Sequence, residues 1–369
     1  MTTNSNGDQS SRMFWQDRKV LITGHTGFKG SWLALWLSQL GAKVTGLALP
    51  PVGGHNLFDQ LKLEQSLDHR LGDVRNPELL RAVVGETQPE VVFHLAAQPL
   101  VRRSYIEPIS TWETNVMGTI HLLEALRPLP EPCTAVLITT DKVYRNNEWL
   151  YGYRENDPLG GHDPYSSSKA AAELAIASWR SSFCGVQSHQ TPHLRIASAR
   201  AGNVIGGGDW AADRIVPDAM RALAEGRMIG VRNPMATRPW QHVLEPLGGY
   251  LRLAERLTTV ADPALLATTF NFGPQLEANR SVRKLVEESL RHWPGEWEDK
   301  SDIRNPHEAN LLNLVIDKAF HQLDWQPHWS FETTVERTVN WYRRVQECQA
   351  SALECCLDDL TAYLTTTSS

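Results

Sequence analysis

The stretch from Lys19 to Leu40 constrains the fold more than any other. Lys19-Val20-Leu21-Ile22-Thr23 is a continuous apolar run, followed by the glycine loop Gly24-His25-Thr26-Gly27-Phe28-Lys29-Gly30 and a helix-forming segment, Ser31 to Leu40. Apolar runs of this length, bounded by glycine, read as buried strands. In the GxxGxxG spacing the first glycine allows a tight turn, the second lets backbone approach a pyrophosphate, and the third lets helix pack on strand. The helix amino terminus then faces the phosphates. Gly24, Thr26, Gly27, Phe28, Lys29 and Gly30 are therefore candidates for binding a dinucleotide.

A chain of 369 residues can hold such an α/β unit together with a smaller lobe. The net charge is −6 and the lysines and arginines are scattered. That pattern offers neither a basic stripe for nucleic acid nor a polybasic segment for a lipid surface, so the expected partner is a small molecule. The five cysteines, Cys133, Cys184, Cys348, Cys355 and Cys356, show neither metal-ligand spacing nor a CxxC pair. No metal and a reducing, cytoplasmic compartment are expected. Residues 1–12 are polar, lack the charged and apolar parts of a secretory signal, and read as a disordered tail. The run Trp32 to Leu40 is interrupted by Ser38 and Gln39 and is too short to span a bilayer.

Further strands follow the first. Lys43 to Leu49 ends in Leu49-Pro50-Pro51, where an NAD-binding chain often carries an acid for the ribose; no lysine or arginine beyond Lys43 occurs before Lys62 to hold a 2′-phosphate either. NAD is expected rather than NADP. Leu71-Gly72-Asp73-Val74 closes a third strand, and Asp73 either accepts from an adenine amino group or caps the helix Pro77 to Val84. Val91 to His94 continues into Leu95, Ala96, Ala97 and Gln98, small enough for ribose and pyrophosphate to lie against the backbone. The helix Trp112 to Leu126, containing Asn115, reads as a crossover. With a strand at Val136, five βα units predict a Rossmann-type, doubly wound parallel sheet.

That last strand runs into Thr139-Thr140-Asp141-Lys142-Val143-Tyr144, at the carboxyl end where ligands sit in open parallel sheets. Tyr165 and Lys169 follow, one turn apart on one helix face. Tyrosine ionises near ~10, so a neutral-pH base needs a neighbouring positive charge, and Lys169 supplies one. Tyr151 to Pro164, rich in Gly, Asn, Asp and Pro, reads as an irregular loop or flap between the halves of the site.

Gly24 to Gly30, Asp73, His94 to Gln98, Asn115, Thr140 and the Tyr165/Lys169 pair, in this order, resemble the extended short-chain dehydrogenase/reductase family of nucleotide-sugar enzymes, from roughly Met13 to Tyr342. Thr23 to Trp32, Thr139 to Tyr144 and Gly202 to Trp210 are similar to its 4,6-dehydratase branch. The resemblance implies bound NAD contacted by the glycine loop, Asp73, Val74, Leu95 to Gln98, Asn115, Thr139, Tyr165 and Lys169, a nucleotide-sugar substrate, and a homodimer or homotetramer. It also implies a reaction in which Thr140, Asp141, Lys142, Tyr165 and Lys169 are catalytic. Tyr165 takes the proton of the sugar's 4-hydroxyl as hydride leaves carbon 4, and Asp141 protonates the departing 6-hydroxyl. The hydride then returns to carbon 6, giving a 4-keto-6-deoxy sugar.

Lys142 stands where the wider dehydratase pattern carries glutamate as base at carbon 5. Lysine starts near ~10.4, and only burial or a nearby cation would free its amine for that step; water or Tyr165 are the alternatives, with Lys142 in an ion pair. Adjacent strand residues point to opposite faces. Asp141 and Lys142 can share a substrate only if the strand has ended.

Arg195 to Ala201 reads as a sixth strand, after which Gly202-Asn203 opens the substrate lobe. Asn203, Arg214 and Arg238 are candidates for a diphosphate, since arginine forks match phosphate geometry. Gln241 is a further candidate, and His242 reads as structural. His307 and Glu308 either approach the nucleotide or lie in a surface loop. The expected division is a nucleotide domain over 13–202 with return segments near 242–257 and 269–273, a lobe over 203–345, and an extension of unknown role over 346–369. A sugar 4-epimerase of the same family would share Tyr165 and Lys169 without needing Asp141. A non-catalytic NAD-binding protein would be marked by loss of the phenol or the lysine, and both are present.

Overall fold

The structure is a computed structural model that describes residues 5–184, 193–301 and 311–367. Six strands, β1 (Lys19–Thr23), β2 (Lys43–Ala48), β3 (Asp68–Leu71), β4 (Val91–His94), β5 (Cys133–Ile138) and β6 (Leu194–Ala201), form one parallel sheet with Thr269–Phe272 at its edge. The spatial order is β3-β2-β1-β4-β5-β6 and then Thr269–Phe272, so the winding reverses between β1 and β4. In such a sheet the crevice at that reversal, beyond the carboxyl ends of the strands, is where ligands bind.

Both faces of the sheet are covered, which explains why β4 and β5 are unbroken apolar runs, buried at every position. The alternation of a strand still decides what each residue meets. Leu21, Val92, Ala135, Leu137 and Ile196 face the helices Pro77–Thr87, Gly118–Leu126 and Pro164–Phe183. Val20, Ile22, Phe93, Val136 and Ala197 face the other way, into a larger core with Phe28–Gln39 and Leu244–Thr259. Phe28–Gln39 is buried almost all round, because the lobe covers what the sheet does not: Trp32 Nε1 donates to Gly207 O at 3.0 Å.

The lobe consists of short pairs joined across the sequence. Val204–Ile205 pairs with Gln241–His242, Ile229–Val231 with Trp297–Asp299, and Thr237–Pro239 runs antiparallel to Asn279–Ser281.

Three sequence expectations are corrected. The polar amino-terminal stretch is helical from Ser5 to Trp15, because Trp15 is fully buried and donates to Glu255 Oε1 at 2.6 Å, with Ser11 Oγ on the same oxygen. The third strand ends at Leu71, and Asn76, not Asp73, caps the next helix by accepting from Leu79 N. The helix expected over 112–126 is present but begins earlier, at Pro108, and carries a π turn at Glu113–Met117 before running on through Gly118–Leu126. The carboxyl-terminal extension carries a helix, Ala352–Thr367, packed into the larger core through Cys355, Cys356 and Tyr363, whose hydroxyl donates to Glu245 at 2.9 Å.

Candidate functional site

The site is built at the reversal of the sheet. Gly24 follows β1 with φ of +83°, a backbone conformation open to glycine, and a Cβ there would stand 2.7 Å from Ala96 N. A Cβ on Gly30 would stand 2.1 Å from Gly24 O, so the helix start can press on the turn only as glycine. Gly27 is the amino-terminal cap of Phe28–Gln39 with no side chain on the helix end. The first helical N–H groups therefore point into a cradle that Leu95, Ala96 and Ala97, all half-exposed, border from β4. These residues fit a dinucleotide pyrophosphate.

Around this cradle some predicted residues face it and others support it. Thr26 Oγ1 donates to Leu49 O at 3.0 Å, stitching the loop to the end of β2. Below that rim His25 and His69 share a 2.7 Å hydrogen bond. Asp73 accepts from Arg75 N at 2.9 Å and from its guanidinium at 2.6 Å, and that arginine holds its carboxyl below the usual range. Val74 is buried against Gly118. Asn115 is fully buried inside the π turn; its Oδ1 accepts from Gln98 N at 2.9 Å, and its Nδ2 donates to Gln98 O at 3.2 Å and Ser168 Oγ at 2.9 Å. π turns recur at functional sites, and this one aims an amide that ties the cradle wall to the Tyr165 helix. The Gln98 side chain is spent on Thr111 and Leu100, and Thr139 Oγ1 donates inward to Glu173, so both are supports.

β5 stops at Ile138, and Asp141–Val143 form a 3-10 turn. The strand has ended, so Asp141 and the half-buried Lys142 are not forced to opposite faces. Thr140 caps the turn, accepting from Lys142 N at 3.3 Å and donating to Asp141 Oδ1 at 3.0 Å. Asp141 is 2 % exposed and its Oδ2 has no hydrogen-bond partner among the described residues. Burial raises its carboxyl above the ordinary aspartate range, against the pull of Lys142, Thr140, Arg238 and Lys29.

The helix Pro164–Phe183 begins on an Asp163 cap, with Asp163 accepting from Ser166 N at 3.0 Å and Pro164 in the first turn. Tyr165 and Lys169 are thereby set one turn apart, 8 % and 6 % exposed. Lys169 Nζ donates to Ile138 O at 3.2 Å. Burial brings Lys169 down to about 8, with Glu173 opposing. Burial also pushes Tyr165 up to about 12, with a hydrogen bond between it and Thr140 and the charge of Arg214 opposing. Desolvation of a phenolate outweighs the pull of Thr140 and Arg214 on this phenol.

Toward the lobe, Arg214 is half-buried and paired with Asp209 at 2.9 Å. Arg238 and Arg280 lie directly opposite each other in the antiparallel pair, both half-buried. Only pairing register places Arg280 beside Arg238, so Arg280 escapes sequence reading. Asn203 O accepts from Gln241 N at 3.4 Å; Gln241 is buried, its Nε2 donating to Phe272 O at 3.2 Å and its Oε1 without a partner among the described residues. His242 is fully buried and held to about 3, consistent with its structural reading. His307 and Glu308 lie outside the described residues.

The wound sheet, its glycine cradle and the Tyr165/Lys169 pair define a nucleotide-binding enzyme of the short-chain dehydrogenase/reductase type. Residues 21–338 match the sequence model of the GDP-mannose 4,6 dehydratase family, and the chain belongs to that family. A CDP-glucose 4,6-dehydratase of Salmonella typhimurium is 47 % identical over 331 residues, 89 % of this chain and 92 % of that protein. A dTDP-glucose 4,6-dehydratase of Xanthomonas campestris is 26 % identical over 87 % of this chain and 92 % of its own length. The crystal structure of a dTDP-glucose 4,6-dehydratase from Streptomyces venezuelae, with NAD bound, superposes with a TM-score of 0.75 over 89 % of this chain and 98 % of that one, at 24 % identity. At that identity the likeness establishes the fold.

Proposed function

We propose that this chain is a CDP-glucose 4,6-dehydratase that uses NAD and yields CDP-4-keto-6-deoxyglucose and water. The observation that carries the reading is Asp141: a buried carboxyl with one oxygen unpartnered among the described residues, one residue from the threonine that meets Tyr165. Epimerisation at carbon 4 has no use for such an acid; elimination of a 6-hydroxyl does. The likeness to the Salmonella typhimurium protein supports the nucleotide and the sugar.

Bound NAD would supply a reversible hydride acceptor, first for carbon 4 and later as donor to carbon 6, and its positive ring would draw the neighbouring phenol toward its anion. Tyr165, as phenolate beside the Lys169 ammonium, takes the proton of the 4-hydroxyl. The resulting ketone acidifies carbon 5, whose proton goes to a base at the Lys142 position, the lysine itself, with water or Tyr165 as the alternatives. Asp141 gives its proton to the departing 6-hydroxyl, which leaves as water. Carbon 5 takes back a proton as carbon 6 regains the hydride, and the 4-hydroxyl's proton, taken by Tyr165, replaces through solvent the one Asp141 gave up; the net change is loss of one water, with the sugar's own hydrogen moved from carbon 4 to carbon 6. Arg238, Arg280 and Arg214 hold the diphosphate, and Asn203 and Gln241 lie along the same wall.

The exposed apolar side chains of Ile106, Ile109, Trp112 and Met117 lie on the helical segments packed against the Tyr165 helix, with exposed Leu174 on that helix itself, and they support a homodimer or higher homo-oligomer through these helices. The five free thiols support a cytoplasmic location.

The test is incubation with CDP-, dTDP-, GDP- and UDP-glucose and mass spectrometry of the products. CDP-glucose is expected to lose one water, and deuterium placed at its carbon 4 to appear at carbon 6. Dehydration of another nucleotide sugar alone, or deuterium lost to solvent, overturns the assignment.

A further inference from the structure

Behind Tyr165 and Lys169 lies a buried carboxylate that the proposed chemistry leaves unused. Glu173 follows Lys169 by one turn of the same helix and is 3 % exposed. Its Oε1 accepts from Thr139 Oγ1 at 2.5 Å and Arg200 Nε at 3.1 Å; its Oε2 accepts from Arg200 Nη2 at 3.0 Å, Ser198 Oγ at 2.9 Å and Thr269 Oγ1 at 3.4 Å. One side chain thus joins the helix to the end of β5, to β6 and to the edge strand. Arg200 is itself fixed, donating to Tyr144 Oη at 2.8 Å and Glu155 O at 3.0 Å.

Stability alone is a poor reason for such a pair, because replacing a buried ion pair by apolar groups of similar volume is often neutral or favourable. Its placement suggests another reason. Thr139 directly precedes Thr140 and Asp141, and the Ile138 carbonyl that receives Lys169 directly precedes Thr139. The same carboxylate therefore fixes the strand end carrying the acid and the helix carrying the phenol.

Charge points the same way. Against burial, Glu173 favours the ammonium of Lys169. The other titratable groups around Lys169 do not: Lys29 from the glycine loop repels it, His94 on β4 is held to about 3 and is neutral, and Tyr165 on its own helix is a neutral phenol. Asp141 acts on Lys29 and Tyr165, while Arg200 and Arg180 face Glu173.

We infer that Glu173 is a positioning residue of the dehydration: it locks the end of β5 against the Tyr165 helix and supplies the buried negative charge that Lys169 faces. The inference rests on the dehydratase reading for its turnover arm only.

The experiment measures kcat for CDP-glucose against pH in the wild type, Glu173→Gln and Glu173→Asp, with Tm as a control for folding. The wild type is expected to lose activity with rising pH as Lys169, at about 8, gives up its proton. In Glu173→Gln that limb moves to lower pH by about one unit or more, the scale of one close opposite charge, and kcat falls at least about tenfold. Glu173→Asp keeps the charge and returns the limb to its wild-type position even where kcat stays low. An unmoved limb in a folded Glu173→Gln protein overturns the proposal. Should that variant not fold, the double replacement Glu173→Met with Arg200→Met removes the pair together, and a folded double variant with the wild-type limb overturns it equally. The Nζ resonance of Lys169 in [15N]lysine-labelled protein, assigned with Lys169→Met, reads the same shift without turnover. A wild type that dehydrates no nucleotide sugar refutes the functional reading, while this resonance still decides the role of Glu173.

Discussion

Gly202 backs directly onto Asp141: a Cβ on Gly202 would stand 3.1 Å from Asp141 Oδ2 and 3.2 Å from Pro239 Cγ. The absence of that one carbon leaves the acid's free oxygen its position at the junction of sheet and lobe. Gly202→Ala is expected to fold, because the crowding is a few tenths of an ångström, yet to displace the carboxyl. Turnover should fall roughly ten- to a hundredfold, the scale of a misplaced catalytic group. Wild-type kcat with an alanine at 202 would contradict the role given to Asp141.

Asp141→Asn removes the proton that the departing hydroxyl takes. Loss of a general acid costs about 10²- to 10⁴-fold, and because the oxidation at carbon 4 comes earlier, reduced-cofactor absorbance should accumulate. Rapid-mixing spectroscopy checks this. In the wild type the raised carboxyl is protonated below its folded pKa, so the elimination step weakens as pH rises through that value.

Tyr165→Phe keeps the ring and removes the base. The variant should bind CDP-glucose with little change and lose turnover by about 10²-fold or more, read by calorimetry and product mass spectrometry in parallel. Near-normal turnover would exclude Tyr165 from proton transfer.

Glu245 couples the carboxyl-terminal helix to pH. It accepts from the backbone of His328 and Trp329 at 2.9 and 2.7 Å and from Tyr363 Oη at 2.9 Å, and burial raises it to about 7. Its folded pKa lies above its unfolded one, so its contribution is fully present below the unfolded value of 4.5 and is lost as pH rises through about 7. Glu245→Gln escapes that loss. The stability of the variant relative to wild type, followed through Tm, should therefore climb between pH 5 and pH 8, by an amount of order a few kcal/mol at most. Parallel melting curves, with no change in their separation across that range, would refute it.

Much of the site can be read in one dimension because its chemistry is local. The glycine spacing obliges a turn and a helix start within a few residues, and Tyr165 and Lys169 share a face because a helix repeats every turn. Apolar runs punctuated by glycine and proline likewise determine the order of β1 to β6, and the handedness of βα crossovers leaves few ways to wind them. By contrast, a polar amino terminus gives no hint of Trp15 seated on Glu255, since that partner lies far along the chain.

What only the tertiary structure decided is which polar groups lose water and whom they meet. Asp141 becomes an acid because lobe and sheet close over it, Arg238 faces Arg280 through a pairing register, and Glu173 gathers donors from two strands and an edge. Desolvation and charge act through space, and neither burial nor register is a property of a residue's neighbours in sequence. The chain itself sets the elements and their order; packing sets the charge states on which the chemistry runs.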